Sequence, residues 1–462
     1  MNKNNSNRRT LELGTKPVGG LLLQYALPAI IAMTASSLYN MVDSIFIGQG
    51  VGALAISGLA VTFPFMNLSA AFGAGVGVGA SSYLSVKLGQ KDYSSAQRIL
   101  GNNITLNIIV GLLFMAVSLV FLDPILYFFG ASEQTIPYAR EYMIVILLGN
   151  VITHLYFGTN AVLRAASKPR EAMYITIFTV VLNSILDPLF IYTFDMGISG
   201  AAYATVLSQA IALVLQTRLF CNPKEMLHLK RGIYSIDLTI VKNILGIGVS
   251  PFAMNATACL VSIFINQRLL QYGGDLAVGA YGIANRVAFI FIMINFGVNQ
   301  GMQPIAGYNY GAQKFDRLMR VLKLAMIAGT CITTTGFLVA ELMPGLCVKL
   351  FTDDAELSAR AVNGLRIMMA AMPIVGYQMI VTNFFQSIGK AKISIFLSLS
   401  RQMLILIPML LILPPLMGID GVWTAMPISD TISALLALAM MVRYMKRFNR
   451  QHKEMIANGQ QQ

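Results

Sequence analysis

Charge is scarce in this chain: only 11% of its 462 residues are Asp, Glu, Lys or Arg, while 56% are hydrophobic. A water-soluble domain carries about 25% charged residues. The polar surface available here is too small to cover a globule in water, and lipid is the solvent this composition requires. Histidine is scarcer still, at three residues, and only His154 falls within an apolar stretch. It has no acidic or histidine neighbour one helical turn away. A membrane-embedded acyltransferase or protease would need a catalytic histidine or a metal cluster, so the enzyme reading finds no support. The four cysteines, Cys221, Cys259, Cys331 and Cys347, share no disulfide-like or metal-like spacing. Two of them, Cys259 and Cys331, lie inside apolar runs where a thiol behaves as a small hydrophobe. No cofactor is expected, and no metal beyond a sodium ion. Period-two alternation of the kind that builds a lipid-facing barrel is missing as well.

What the chain has is long apolar runs. They fall near 21–44, 55–84, 99–122, 138–162, 172–194 and 199–218, then near 243–266, 278–305, 322–347, 362–387, 393–413 and 421–442. A membrane-spanning helix needs about 20 such residues, so the sequence predicts an all-α integral membrane protein with twelve transmembrane helices. Arg8, Arg9 and Lys16 ahead of the run from Leu21 superficially resemble a secretory signal. No small-residue cleavage site ends a short core there, so this segment reads as a retained first helix.

The formal charge of +13 would suggest nucleic acid if Lys and Arg covered a folded soluble face. They lie instead between the apolar runs, which removes that partner. With the N-terminus inside, the outer loops hold only Arg140, Arg268, Lys349, Arg360 and Arg366, while Arg286 and Arg401 fall within helices. The remaining 26 of the 33 Lys and Arg then collect on one side, and the positive-inside rule places both termini in the cytoplasm.

The chain also repeats itself. Pro28 matches Pro251, and Thr159-Asn160 returns as Thr382-Asn383, each after 223 residues. In the same order, Gly89 to Leu100 matches Gly311 to Leu322, and Met196-Gly197-Ile198-Ser199-Gly200 matches Met417-Gly418-Ile419-Asp420-Gly421. Self-similarity on this scale is the signature of a duplicated unit. The expected organisation is an N-terminal six-helix lobe over 1–218, a basic cytoplasmic linker over 219–242 and a C-terminal six-helix lobe over 243–462. An even number of helices per copy inserts both with the same topology, related by an axis along the membrane normal. Two pseudo-symmetric bundles of this kind enclose a cleft that opens to either side, the geometry of alternating access. Prolines at Pro28, Pro64, Pro251, Pro304, Pro373 and Pro408 are expected inside helices as kinks. The alternating glycines Gly73, Gly75, Gly77 and Gly79 follow no strand and precede no Lys-Ser/Thr pair, so they read as close helix packing rather than a phosphate loop.

Ionisable groups inside the apolar runs demand a partner or a task, because a carboxylate at the bilayer centre costs about 2.5–3.5 kcal/mol on insertion scales. Asp187 lies in the fifth run with Asn183 one turn earlier on the same face. Asp43 in the first run has Tyr39 at the same spacing. Carboxylate and amide oxygens suit a hard cation, and a close pair of carboxyls equally holds a proton. The structural alternatives are a capping role near the outer end for Asp43 and a packing hydrogen bond for Asp187. In the C-terminal half, Arg401 lies roughly 13 Å past Lys392 along its helix. It is expected to pair with Asp430, as a structural ion pair or with a substrate or gating role. Arg286 is a candidate to line the cleft, and the 27 methionines suit adaptable packing.

Three segments together resemble a known family: Tyr39-Asn40-Met41-Val42-Asp43-Ser44-Ile45-Phe46-Ile47-Gly48, Asn183-Ser184-Ile185-Leu186-Asp187-Pro188 and Gly200-Ala201-Ala202-Tyr203-Ala204-Thr205. They look like the multidrug and toxic compound extrusion (MATE) family, in its prokaryotic DinF or MepA-like branch. The resemblance covers nearly the whole chain. It implies a monomer in a prokaryotic inner membrane that exports amphipathic, often cationic, small molecules against a proton or sodium gradient. Carried over by resemblance, the coupling site comprises Asp43, Asn183, Asp187 and Thr205, supported by Tyr39, Tyr142 and Asn160. The chain departs from branches that place coupling carboxylates in the seventh and tenth helices, since it has none there. A flippase for lipid-linked saccharides resembles the same superfamily, but such proteins line their cleft with cations, and only Arg286 and Arg401 are available.

Overall fold

A computed structural model describes residues 9–51, 53–351 and 354–457; the side chains of some helical residues, Tyr39 among them, lie outside the described set. Helices make up the architecture, and no strand occurs among the described residues. In chain order they are α1 (Val18–Gly50), α2 (Ala53–Gly89), α3 (Tyr93–Val120), the short α4 (Leu122–Phe128), α5 (Ile136–Leu148), α6 (Asn150–Ala165), α7 (Pro169–Pro188) and α8 (Gly197–Phe220). The second half holds α9 (Leu238–Gly274) and α10 (Leu276–Gly311), separated by a left-handed Gly274. It continues with α11 (Phe315–Leu342), the short α12 (Pro344–Lys349), α13 (Ala355–Met369), α14 (Met372–Ser387), α15 (Ala391–Leu399), α16 (Ile407–Met417) and α17 (Ile419–Ala457).

Among the described residues ten spans are long and apolar enough to cross a bilayer, and two bent pairs raise the number to twelve when each counts as one. The bent pairs are α5–α6, at 56°, and α13–α14, at 50°, the fourth and tenth apolar runs. Gly149 separates the first pair, with a backbone at φ −82° and ψ −1° that ends the helical ladder. In the second, Pro373 stands in the first turn of α14, where its missing N–H costs nothing. It begins half of a broken helix instead of kinking a continuous one. Leu113, Val120, Val214, Leu404 and Leu435 are exposed on their helices, as lipid-facing residues must be.

The two halves repeat their turns as well as their helices. Left-handed backbone occurs at Lys91 and again at Gln313, at Ser167 and again at Gly389, and at Gly197 and again at Gly418. The N-caps that follow also match: Asp92 (φ −86°, ψ 73°) opens α3 and Lys314 (φ −86°, ψ 70°) opens α11. Asp92 makes the stronger cap, accepting from the Ser95 N–H at 3.1 Å while Lys87 Nζ approaches at 3.1 Å. Hydrogen bonds from Ser95, and then Lys87, hold its carboxyl below the ordinary range.

The chain divides into two compact units. The first contains Ile31–Asn255, and its core gathers Ile47, Phe65, Leu126, Met143, Leu147 and Ile198. Within it the glycine run of α2 serves two partners. Gly73 and Gly77 face α6, where a β-carbon at Gly77 would stand 2.8 Å from the Gly158 Cα. Gly75 and Gly79 face α9, where a β-carbon at Gly79 would stand 2.1 Å from the Ile244 carbonyl oxygen. Residues four apart share a helix face and residues two apart do not, so alternate glycines let two helices approach α2 on different sides. The segment after α8 is strapped to the same unit. Arg98 pairs with Asp237 at 3.1 Å, Lys168 with Glu225 at 3.3 Å, and the Asn102 side chain bonds Ser235 and Asp237. The second unit contains Lys16–Ile30 and Ala256 onward. Its core is built on Leu269, Val287, Leu365, Met369, Leu410 and Trp423, with Gly364 leaving room for the Trp423 ring.

Candidate coupling site

α7 carries the centre of the site. Asn183 and Asp187 stand one turn apart on a single buried face, and Asn183 Nδ2 donates to Asp187 Oδ1 at 2.7 Å. Pro188 follows directly and has no N–H to return to the preceding turn. The winding then widens into a π turn over Leu189–Thr193, closed by Phe194 N–H donating to the Leu189 carbonyl at 3.1 Å. From α8, Thr205 Oγ1 donates to Asn183 Oδ1 at 3.4 Å. These two contacts orient the Asn183 amide, with its oxygen toward the hydroxyl and its nitrogen toward the carboxylate.

α1 supplies the second carboxyl. Asp43 is 6% exposed and Asp187 fully buried, and the two carboxyls lie within hydrogen-bonding reach of each other. Among the described residues, Asp43 Oδ1 and Asp187 Oδ2 have no hydrogen-bond donor. Two buried carboxyls in contact cannot both keep their charge unless a proton or a cation sits with them. The unsatisfied oxygens mark where that positive charge belongs, and an all-oxygen donor set fits a proton or a hard monovalent ion. Tyr192, in the π turn, donates to the Phe46 carbonyl at 3.2 Å and sets its ring edge against Phe46. It thereby ties α1, three residues beyond Asp43, to the segment that follows Asp187.

The structure therefore brings Asp43, Asn183, Asp187 and Thr205 together. Tyr142 is buried in the core of the same unit among residues such as Ile47 and Ile191. Asn160 bonds elsewhere: its Nδ2 reaches the Ala172 carbonyl and Thr176 Oγ1, both at 3.3 Å, and its oxygen accepts from Arg164. In the second unit Arg401 Nε stands 2.7 Å from Asp430 Oδ1. Arg286 is exposed and makes no ion pair among the described residues. Sequence reasoning passes over a further polar cluster on α2 and α6. There Ser69 Oγ donates to Asn150 Oδ1 at 2.5 Å, and His154 Nε2 lies 3.0 Å from the Ser69 carbonyl. The signal for it lies in Gly73 and Gly111, whose missing side chains admit the His154 ring.

A chain whose described residues form helices and no strand, with ten to twelve of those helices able to cross a membrane and a duplicated helix pattern, is a polytopic membrane protein of the transporter class. The MatE family profile matches it twice, over residues 28–189 and 251–412, a displacement of 223 at both ends that reproduces the internal repeat. The chain belongs to the MatE family. Among similar proteins, a multidrug export protein MepA of Staphylococcus aureus (strain N315) is 28% identical, with 93% of this chain and 94% of that protein covered. MepA of Staphylococcus haemolyticus (strain JCSC1435) is 27% identical, with 90% and 92% covered. A solved multidrug resistance MATE transporter of the MOP superfamily, in an outward-facing conformation, shares the fold with a TM-score of 0.89 at 24% identity, covering 95% of this chain and 98% of that one. A MOP superfamily transporter from Pyrococcus furiosus, described as having reversed binding-pocket polarity, matches with the same TM-score at 23% identity, again covering 95% and 98%.

Proposed function

We propose that this protein is a multidrug efflux antiporter. It exports amphipathic, often cationic, small molecules across a prokaryotic inner membrane in exchange for protons or sodium. The observation that carries this reading is the contact between two buried carboxyls, Asp43 and Asp187, with one oxygen of each left without a donor among the described residues. Such a pair binds a positive charge and becomes electrostatically costly when empty, which is the property a coupling site requires. The multidrug export for which the MepA relatives are named supports the cargo class.

In this account the lobes over 1–218 and 243–462 alternate access to the two sides, joined by the 219–242 segment, with both termini cytoplasmic. The protein acts as a monomer without a cofactor. The ion is cargo, and no bond of the exported compound is made or broken. Asn183 and Thr205 orient Asp187, while Tyr39 and Tyr142 support the site.

The reading is tested in inverted membrane vesicles loaded with protein and offered a fluorescent cationic dye. An imposed pH gradient alone, or a sodium gradient alone, is expected to drive dye accumulation. Dye movement that responds to neither gradient overturns the antiport assignment.

A further inference from the structure

The Arg401–Asp430 pair takes on meaning when the two halves are compared position by position. The matched segments 28–189 and 251–412 place Asp43 opposite Asn266, Asn183 opposite Leu406 and Asp187 opposite Leu410. Past those segments, Gly197 and Gly418 occupy the same left-handed turn, which places Thr205 opposite Met426. No charge remains at the C-terminal counterparts of the coupling site. A polar contact nevertheless joins the equivalent pair of helices. Arg401 stands about one turn before Leu406, and Asp430 one turn after Met426. Consecutive spans cross in opposite directions, so both displacements move the contact toward the same face of the membrane.

The contact is built like a site. Arg401 Nε donates to Asp430 Oδ1 at 2.7 Å, and the side chains are only 27% and 13% exposed. Ser429 Oγ donates to the Arg401 carbonyl at 2.6 Å, fixing the backbone that carries the guanidinium. Arg401 lies in a π turn, Ser400–Leu406, as the N-terminal site abuts one at Leu189–Thr193. The second titratable group nearby is Tyr377 of α14, whose hydroxyl donates to the Ala434 carbonyl one turn from Asp430. Its hydrogen is therefore directed away from the carboxylate. Arg401 makes no second side-chain hydrogen bond among the described residues, so the guanidinium acts here as a positive charge at one oxygen and not as a bidentate fork.

We infer that Asp430 is the C-terminal half's cation site, built to hold a monovalent organic or alkali cation and kept permanently occupied by the tethered guanidinium of Arg401. The half that carries Asp43 and Asp187 has an exchangeable charge, whereas this half has its charge attached to the chain. Its significance for ion stoichiometry rests on the antiport reading, but cation binding at Asp430 does not.

The test removes the tether and offers free cations. Purified Arg401→Ala, wild type and the double variant Arg401→Ala/Asp430→Asn are heated with increasing ethylguanidinium or methylammonium. Both probes are expected to raise the unfolding temperature of Arg401→Ala saturably and by more than any shift in wild type and the double variant, which share with it the Asp43–Asp187 site. If Arg401→Ala folds only when one of these cations is present during purification, that is the same result in stronger form. The inference is overturned if Arg401→Ala ignores both cations, if it stays unfolded in their presence, or if the double variant responds equally. A cavity that accepts ethylguanidinium but not methylammonium also overturns it, since shape and not charge would then define the pocket. None of these readings depends on transport, so a failure of antiport and a failure at Asp430 remain distinguishable.

Discussion

Asp187→Asn is expected to reduce gradient-driven dye efflux to the background of empty vesicles while the protein remains folded in the membrane. The two halves of that expectation have separate causes. The variant retains an oxygen to accept from Asn183 Nδ2, which Asp187 does now at 2.7 Å. It also places an amide N–H beside Asp43, whose Oδ1 has no donor among the described residues. Satisfying a buried acceptor is worth about 1–3 kcal/mol, so the unfolding temperature of Asp187→Asn should match or exceed that of wild type. What disappears is one of the two carboxyls whose contact creates the demand for a positive ion. Thr205→Val should do less, since the hydroxyl acts on Asp187 through Asn183, to which it donates at 3.4 Å. Full gradient-dependent efflux by a folded Asp187→Asn protein would take Asp187 out of the coupling role.

Substitution of Gly79 should damage assembly more than any change at a neighbouring glycine with open space around it. A β-carbon there would lie 2.1 Å from the Ile244 carbonyl oxygen, and one at Gly248 would lie 2.3 Å from the Gly75 oxygen. Both obstacles are backbone, so no side-chain rotation relieves them and α2 must separate from α9. Overpacking of this kind costs about 1–3 kcal/mol even for a single methyl, and in lipid the lost close packing has no hydrophobic substitute. Gly79→Ala and Gly248→Ala should lower the unfolding temperature markedly, and Gly79→Val should leave little folded protein in the membrane. Gly246, two residues from Gly248 on the same helix, has nothing within 4 Å of the point where a β-carbon would stand. Gly246→Ala should stabilise by about 0.5–1 kcal/mol, the helix propensity difference. Equal behaviour of Gly246→Ala and Gly79→Ala in a thermal scan would refute the packing account.

The glycine run shows how far a sequence pattern reaches. Close packing through Gly73, Gly75, Gly77 and Gly79 follows from small residues in an apolar run, but the identity of the two helices they admit needs three dimensions. The twelve spans and the repeat are legible because apolar length and self-similarity are properties of the chain itself. So is the Asn183–Asp187 face, since a helix alone sets that spacing. The contact between Asp43 and Asp187 joins residues 144 positions apart, and local geometry says nothing about it. The broken fourth and tenth spans read as continuous in the sequence because hydropathy continues through Gly149 and through Ala370-Ala371 while the backbone bends. Resemblance places Asn160 at the site, yet its hydrogen bonds run to Arg164, Thr176 and Ala172. A charge usually ends an apolar run, which assigns Arg164 to a loop, but this arginine completes the last turn of α6.

The central claim concerns one exchange, in which cationic cargo and a coupling ion compete for the charge of Asp43 and Asp187. Its most direct measurement is ion release from purified protein on mixing with dye, followed with a pH indicator in weak buffer and with a sodium-sensitive indicator. The account predicts that wild type releases protons or sodium in fixed ratio to the dye bound, and that Asp43→Asn and Asp187→Asn each bind dye without that release. Undiminished release from a folded Asp43→Asn/Asp187→Asn double variant would contradict it.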